Sequence, residues 1–148
     1  MLLSNCTLQS PVKQDEPVIV SEKVLDPTGT YTLDEGKLAE DGEYYGYSGT
    51  ILVKQLSADR IEMGFSIVRG APGYNSGSFY DTLTFENNRA VYRYESCKIT
   101  FIFKDQAIDV IDDPEVTDCG FGGGVFAHGT YQKTSSETPI VHNPMVGE

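Results

Sequence analysis

Residues 89–133 decide the fold of this chain, and they read RAVYRYESCKITFIFKDQAIDVIDDPEVTDCGFGGGVFAHGTYQK. Within this stretch, apolar residues recur at every second position on either side of a short polar break at 104–106. A period of two is typical of strands with one buried face. The pattern therefore predicts a β-hairpin whose buried side chains are Ile99, Phe101, Phe103, Ile108 and Val110.

Two cysteines flank the predicted hairpin. Cys97 precedes its first strand and Cys119 follows its second strand, so both lie near the open end of the hairpin. They lack the C-x-x-C spacing of zinc and redox sites, and we therefore predict a disulfide between them. On the chain-entropy model, a crosslink over a loop of this length stabilises a fold by about 3 kcal/mol.

Similar alternation recurs along the rest of the chain, with short polar turns between the apolar runs and no amphipathic helical pattern. The predicted strands cover residues 29–33, 50–54, 60–68, 78–86, 89–94, 98–104, 107–111 and 125–133. Because short connections make sequence neighbours into sheet neighbours, we expect an all-β antiparallel meander of about eight strands. Closure into a small lipocalin-like barrel removes the exposed edges, and a β-sandwich is the second choice.

The tripeptide Gly-Thr-Tyr occurs at 29–31 and again at 129–131, in the first and the last predicted strand. This repeat suggests that the two strands are equivalent ends of the meander. We therefore expect them to meet where the barrel closes.

The chain is long enough for one domain with a single core. Residues 1–27 are mostly polar and contain three prolines, which predicts a flexible N-terminal tether. The single β-barrel domain is expected at residues 28–134. Residues 135–148 are rich in Ser, Thr, Pro and Asn and are expected to form a disordered tail.

The N-terminal residues 2–6 read LLSNC. They resemble the cleavage end of a bacterial lipoprotein signal peptide, in which the cysteine becomes the lipidated N-terminus. Lipidation of Cys6 would explain why one cysteine is left outside the predicted disulfide. The alternative is an unpaired cysteine in a disordered tail. The anchor predicts a location in the periplasm or at the outer membrane, lipid-anchored or secreted.

The chain carries 22 acidic and 11 basic residues, which gives a net charge of −11. Nucleic acid is thereby excluded as a partner, because phosphate binding needs clustered lysines and arginines that the sequence lacks. No run approaches the roughly 20 apolar residues that span a bilayer, so membrane contact is expected only through the lipid anchor. The acidity has two explanations, which are solubility and electrostatic attraction to a basic protein.

Tyrosines are concentrated in two of the predicted loops. Tyr44, Tyr45 and Tyr47 precede the second strand, and Tyr74 lies in a loop of Gly, Pro and Asn. Tyrosines in loops on a rigid sheet are typical of recognition surfaces, because they give contact area at a small entropic cost. We predict binding contacts at these four tyrosines. The alternative is that some of the rings plug the ends of the barrel.

A second candidate contact is the acidic loop at 112–118, with Asp112, Asp113 and Glu115. Five carboxylates lie between residues 109 and 118, and such oxygen ligands would suit calcium. Their spacing does not follow the D-x-D-x-D-G pattern of calcium loops, and Pro114 stiffens the middle of the segment. We therefore expect a solvated acidic loop without a bound metal.

The sequence offers little for catalysis. It lacks the G-x-S-x-G nucleophile motif, and only one of its two histidines, His128, lies in the predicted domain, within the last strand. The glycines of 120–124 are not followed by the Lys-Ser/Thr pair of a phosphate loop, and they are expected to allow a sharp bend. We therefore predict neither an enzyme nor a cofactor.

The segments 97–101 and 119–125, with the final Gly-Thr-Tyr at 129–131, resemble small envelope lipoproteins of Gram-negative bacteria. In those proteins a strand that opens with cysteine is tied to a later Cys-Gly segment. Periplasmic lysozyme inhibitors and immunity proteins are the nearest functional class. The resemblance implies a rigid, monomeric, acidic scaffold that blocks a basic cell-wall hydrolase with a loop. The alternative is a lipocalin-like carrier of an apolar small molecule, which requires a hollow barrel.

Overall fold

The computed structural model describes residues 23–112 and 119–143, which form ten strands and no helix. The strands are β1 (Gly29–Asp34), β2 (Lys37–Leu38), β3 (Tyr44–Tyr45), β4 (Tyr47–Ser57), β5 (Arg60–Arg69), β6 (Ser76–Thr84), β7 (Arg89–Tyr94), β8 (Cys97–Phe103), β9 (Ala107–Asp112) and β10 (Gly129–Ser135). Among the described residues there is accordingly no helix that could cross a membrane. The prediction of an all-β chain is confirmed.

Eight of the strands form one antiparallel sheet in the order β6-β5-β4-β1-β10-β9-β8-β7, and β2 pairs with β3 in a separate small hairpin. The first and last strands are hydrogen-bonded neighbours, with Thr30 opposite Ser135 and Thr32 opposite Gln132. The sheet is thereby nearly closed into a barrel. These pairings confirm the predicted meander and the predicted meeting of its two ends.

The meander places its connections alternately at the two ends of the barrel, because each strand runs opposite to its neighbours. At the short-turn end, the connections are residues 58–59, 85–88 and 104–106. At the long-loop end, they are residues 35–46, 70–75 and 95–96, together with the described residues 119–128 of the last connection. Asn87 and Asn88, in one of the short turns, have φ angles of 53° and 57°, the left-handed conformation that asparagine tolerates.

The interior of the barrel is filled by the inward-facing side chains of all eight strands. The ring of Phe65 lies near the centre, with its centroid 5.3 Å from that of Phe79 and 6.0 Å from that of Phe101. Full burial of one such side chain stabilises a fold by about 1.5–3 kcal/mol relative to exposure. The alternating pattern of the sequence therefore produces a packed aromatic core.

The repeated Gly-Thr-Tyr sequence has a repeated structure. The glycines of both tripeptides have the same φ of 152°. Tyr31 and Tyr131 are both buried, in strands that pair with each other, and each hydroxyl donates to the backbone carbonyl four residues earlier, at Pro27 and Ala127. Each phenol thus has the hydrogen-bond partner that a buried polar group needs.

The sheet is interrupted between β6 and β7. Both strands lie wholly in the described part of the chain, yet no ladder joins them, and the isolated bridge at their turn pairs Glu86, which follows β6, with Arg89 of β7. Farther along, the rings of Phe79 and Tyr92 stack across the gap, with centroids 3.7 Å apart and an interplanar angle of 3°. The carboxylate of Asp81 accepts the backbone N–H of Thr82 at 2.8 Å. An aromatic stack therefore joins these two strands where a hydrogen-bond ladder is absent.

Residues 23–28 cross the short-turn end of the barrel. The side-chain amide of Asn88 donates to the carbonyl of Lys23, and its oxygen accepts the N–H of Leu25, both at 2.9 Å. Leu25 packs against the core and Pro27 is buried. Part of the segment assigned to the tether by sequence thus contacts the barrel, whereas residues 1–22 lie outside the described residues.

The predicted bounds of the last strand are wrong. The alternation predicts residues 125–133, whereas β10 runs from Gly129 to Ser135. Val125 and Ala127 are buried, so they continue the alternating pattern of burial. Their backbone, however, is held by a side chain, since the N–H of Ala127 donates to Asp112 Oδ2 at 2.7 Å. His128 therefore lies just before the strand and is exposed.

The predicted disulfide between Cys97 and Cys119 is confirmed, with Cα atoms 4.7 Å apart. Cys97 is the first residue of β8 and is buried. The bond therefore fastens the residues that precede β10 to the start of β8, at the long-loop end.

Replacing both Cys97 and Cys119 by alanine is expected to lower the free energy of unfolding by about 3 kcal/mol, because the crosslink spans 22 residues. Urea unfolding followed by tyrosine fluorescence measures this loss. The matched control is Cys6→Ala, which removes the cysteine outside the disulfide and should leave the midpoint unchanged. A loss below about 1 kcal/mol for the double variant would contradict the chain-entropy account.

Alkaline pH is expected to destabilise the barrel through Tyr31. Burial, assisted by the negative charge of Asp26, raises the pKa of Tyr31 from 10.0 to about 12. The phenol therefore ionises in the unfolded chain before it ionises in the barrel. The free energy of unfolding should fall by about 3 kcal/mol from this residue as the pH rises from about 10 to about 12.

Urea midpoints at a series of pH values, for the wild type and for Tyr31→Phe, measure this contribution. The variant lacks the phenol and should lose less stability over the same range. Tyr94→Phe, at a tyrosine that is 54% exposed, is the matched control and should follow the wild type. Equal pH dependence in the wild type and Tyr31→Phe would contradict the assignment.

The stack of Phe79 on Tyr92 is expected to hold β7 against β6. Tyr92→Ala should lower the free energy of unfolding by about 2 kcal/mol, because the stack and its buried area are lost. Amide hydrogen exchange should also become faster in β6 and β7 than in β1 and β10. Tyr94→Ala, at an exposed residue of the same strand, is the control. If Tyr94→Ala lowered the free energy of unfolding by as much as Tyr92→Ala, the stack would not be what joins the strands.

Candidate binding surface

The described candidate residues all lie at the long-loop end. Tyr44, Tyr45 and Tyr47 belong to the β1–β4 connection or the start of β4, Tyr74 belongs to the β5–β6 connection, and Asp112 ends β9. Because alternate connections of a meander share one end, the topology brings residues together that are far apart in sequence. The tyrosines and the acidic residue therefore share one end of the barrel.

Backbone hydrogen bonds join two of the long loops. The amide of Ala71 donates to the carbonyl of Tyr44 at 2.7 Å, and the amide of Gly70 donates to that of Gly46 at 2.8 Å. A Cβ at Gly70 would lie 2.2 Å from the carbonyl oxygen of Tyr44. The glycine therefore allows the two loops to meet as one surface.

Three tyrosine hydroxyls of this surface donate to carboxylates. The pairs are Tyr44 with Asp34, Tyr45 with Asp41, and Tyr74 with Glu43. We refer to these six residues as the tyrosine–carboxylate cluster. Tyr45 and Tyr74 remain 42% and 50% exposed, although their hydroxyls have partners. The rings are thus held in place while part of their surface stays accessible to another molecule.

The hydrogen bonds of the cluster shift the acidity of its members. The bond to Asp34 raises the pKa of Tyr44, and the bond to Asp41 raises the pKa of Tyr45. The backbone N–H of Glu43, followed by the hydroxyl of Tyr45, lowers the pKa of Asp41. These phenols therefore remain neutral donors and Asp41 remains charged at neutral pH.

The loop that carries most of the cluster is acidic and has an apolar residue at its surface. Residues 34–43 include five acidic side chains and one lysine. Leu38, in β2, is 75% exposed and lies opposite Tyr44 in the small hairpin. An exposed leucine and two exposed aromatic rings surrounded by carboxylates form a mixed apolar and negatively charged surface.

Tyr47 has a different role from the other three tyrosines. Its hydroxyl donates to the carbonyl of Gly124 at 2.5 Å, and its side chain packs against the core. Beside it, the side chain of Asn75 donates to the carbonyl of Gly123 at 2.8 Å, and the ring of Phe121 packs on Gly77. Tyr47 thus helps to close the long-loop end, as in the alternative interpretation of these rings.

Asp112 lies apart from the cluster and shapes the chain before β10. Its Oδ2 accepts the N–H of Ala127 and lies 3.8 Å from His128 Nδ1, and its Oδ1 is buried without a hydrogen-bond partner among the described residues. The other acidic-loop candidates, Asp113 and Glu115, lie outside the described residues, as does Cys6. No group of three metal-ligating side chains occurs in the part of the chain that the structure describes.

The sequence identified the tyrosines of the cluster but neither its carboxylates nor Leu38. Asp41 could have been found, because it precedes Tyr45 by four residues across a turn that contains Gly42. The Tyr44–Asp34 and Tyr74–Glu43 pairs span 10 and 31 residues, and they depend on how the loops pack.

Comparison of the chain with protein-family models, with curated proteins and with solved structures found no match. The function of the protein is therefore inferred from the geometry and charge of this surface.

Proposed function

We propose that this protein is a non-catalytic binding protein that recognises a basic protein through the tyrosine–carboxylate cluster. The observation that carries the proposal is that three tyrosine–carboxylate pairs lie together at one end of the barrel, where backbone hydrogen bonds join two loops. Exposed aromatic groups with a polar rim have the composition of protein-binding hot spots. The negative charge of the surface favours a basic partner and speeds its association.

The specific form of this proposal is an envelope protein that inhibits, or confers immunity against, a basic cell-wall hydrolase. In this form the domain is anchored through Cys6 in the periplasm or at the outer membrane. The disulfide supports an oxidising compartment, where such bonds persist. The net charge of −11 supports a basic target.

A carrier of an apolar small molecule has less support. The phenylalanines that would have to leave room for a ligand are each at most 5% exposed and belong to the core cluster: Phe65, Phe79, Phe85, Phe101 and Phe103. Phe85 and Phe103, for example, have ring centroids 5.2 Å apart in an edge-to-face contact. Cavities that hold small molecules are typically about 300–1,000 Å³, and these rings occupy the place where one would lie.

Isothermal titration with a panel of basic cell-wall hydrolases, including a lysozyme, an amidase and a lytic transglycosylase, tests the proposal. At least one member should bind with a Kd of about 1 μM or lower at low ionic strength. The affinity should fall by roughly tenfold or more at about 1 M salt, where charges are screened. The double variant Tyr45→Ala with Tyr74→Ala should bind at least about tenfold more weakly.

The matched control is Tyr80→Ala, because Tyr80 is 48% exposed but lies on β6 outside the cluster. It should bind as the wild type does. Leu38→Ser should weaken binding without changing its salt dependence, since it removes an apolar contact. The inhibitor form is overturned if no hydrolase binds or is inhibited at about 10 μM protein. Equal losses in Tyr80→Ala and in the cluster variant would overturn the assignment of the contact.

A further inference from the structure

A groove lies on the outer face of the barrel, across β1, β4 and β5, just below the long-loop end. Its volume is about 530 Å³. This value falls within the range of about 300–1,000 Å³ that is typical of small-molecule sites, and the groove is mostly open to solvent. The outward-facing side chains of three neighbouring strands form its floor, so its shape depends on the rigid sheet.

The floor of the groove is built from hydroxyl side chains in register. Thr32 lies opposite Thr50, and Thr50 lies opposite Ser66, in one row across the three strands. Ser48 lies in the next row, opposite Asp34. All four of these side chains line the groove. Each hydroxyl can therefore donate to and accept from a molecule in the groove.

Ser66 is the most unusual member of this row. It lies on the outer face of β5, between the core residues Phe65 and Ile67, yet it is only 7% exposed. Since Ser66 lines the groove, its hydroxyl can donate to or accept from a molecule bound there.

A fixed aromatic ring and a carboxylate form the upper wall. The ring of Tyr44 packs on Gly36, where a Cβ would lie 2.0 Å from it, and its hydroxyl donates to Asp34. No lysine, arginine or histidine lines the groove within the described residues. A single negative charge without a compensating cation repels anionic ligands but can accept hydrogen bonds from neutral hydroxyls.

We propose that this groove binds a neutral oligosaccharide. A row of hydroxyls matches the alternating donors and acceptors of sugar hydroxyl groups. Asp34 can accept a charge-assisted hydrogen bond from a sugar hydroxyl, and the ring of Tyr44 offers apolar surface to the C–H face of a sugar. The groove shares these two residues with the tyrosine–carboxylate cluster, but its floor lies on the strands and not on the loop tips.

Titration of the ¹⁵N-labelled protein with three tetrasaccharides tests the proposal by NMR. The neutral probes are tetra-N-acetylchitotetraose and cellotetraose, and the acidic probe is tetragalacturonate. A neutral probe should shift the amide signals of β1, β4 and β5 saturably, with a Kd of about 1 mM or lower. The acidic probe should cause no such shifts, because Asp34 repels its carboxylates.

Single hydroxyl deletions locate the site. Ser66→Ala and Thr50→Val should each weaken binding by roughly three- to tenfold, the effect of one hydrogen bond. The matched controls are Ser78→Ala and Thr84→Val, on β6 and outside the groove lining. Ser78 is the closer match, because it lies opposite Ser66 and extends the same row. Both controls should bind the neutral probe as the wild type does.

Several outcomes would overturn the proposal. The proposal fails if neither neutral probe shifts any signal, or if the shifts are confined to strands other than β1, β4 and β5. It also fails if the control variants lose as much affinity as Ser66→Ala and Thr50→Val, or if the acidic probe binds as tightly as the neutral probes. Ser66→Ala should bind a basic hydrolase as the wild type does, because Ser66 lies outside the cluster. Failure of oligosaccharide binding and failure of hydrolase binding are therefore distinguishable.

Discussion

The antiparallel pairing of β1 with β10 is the constraint on which the rest of the structure depends. It joins strands that begin a hundred residues apart, at Gly29 and Gly129, and its closure must overcome the entropy of a long loop. The buried phenols of Tyr31 and Tyr131 accompany this pairing, each with its own carbonyl partner. The antiparallel meander sets the direction of every strand, so the long connections fall at one end.

The barrel is closed by two contacts of different kinds. A hydrogen-bond ladder joins β1 to β10, whereas the stacked rings of Phe79 and Tyr92 hold β6 against β7. Regions with few backbone hydrogen bonds open most easily, so local opening is expected to begin at β6–β7. The disulfide at Cys97 lies next to this gap, because Cys97 pairs with Tyr94 of β7. A covalent bond therefore reinforces the side of the barrel where hydrogen bonding is weakest.

The sequence was sufficient to predict the fold wherever a residue's burial follows from its odd or even position along one strand. In β8, the alternation of burial follows the alternation of residues, and the flanking cysteines define the disulfide. The same rule failed at residues 125–128, because Val125 and Ala127 are buried in an irregular segment that Asp112 holds. A burial pattern alone does not distinguish a strand from such a segment.

The binding surfaces were less predictable, because they depend on contacts between loops and between strands. Tyr74 was recognisable as an exposed loop tyrosine, but its bond to Glu43 requires the two long loops to meet. Ser66 and Ser78 look alike in sequence, since both are polar residues at outward positions of alternating strands. Ser66 lines the groove together with Tyr44, whereas Ser78 does not, and this difference depends on how the strands and the loop pack.

Preorganisation connects the fold to the proposed binding function. Each tyrosine of the cluster is held by its hydroxyl, so it has lost much of its side-chain freedom before any partner arrives. Ordering a flexible side chain on binding costs about 0.5–1.5 kcal/mol, and the carboxylate bonds have already met part of that cost during folding. Asp34 and Tyr44 serve both surfaces, because the backbone of Tyr44 holds the 70–75 loop while its ring forms a wall of the groove. Any ligand that moves Tyr44 would therefore affect the cluster and the groove together, and by linkage the effect of one site on the other is reciprocal.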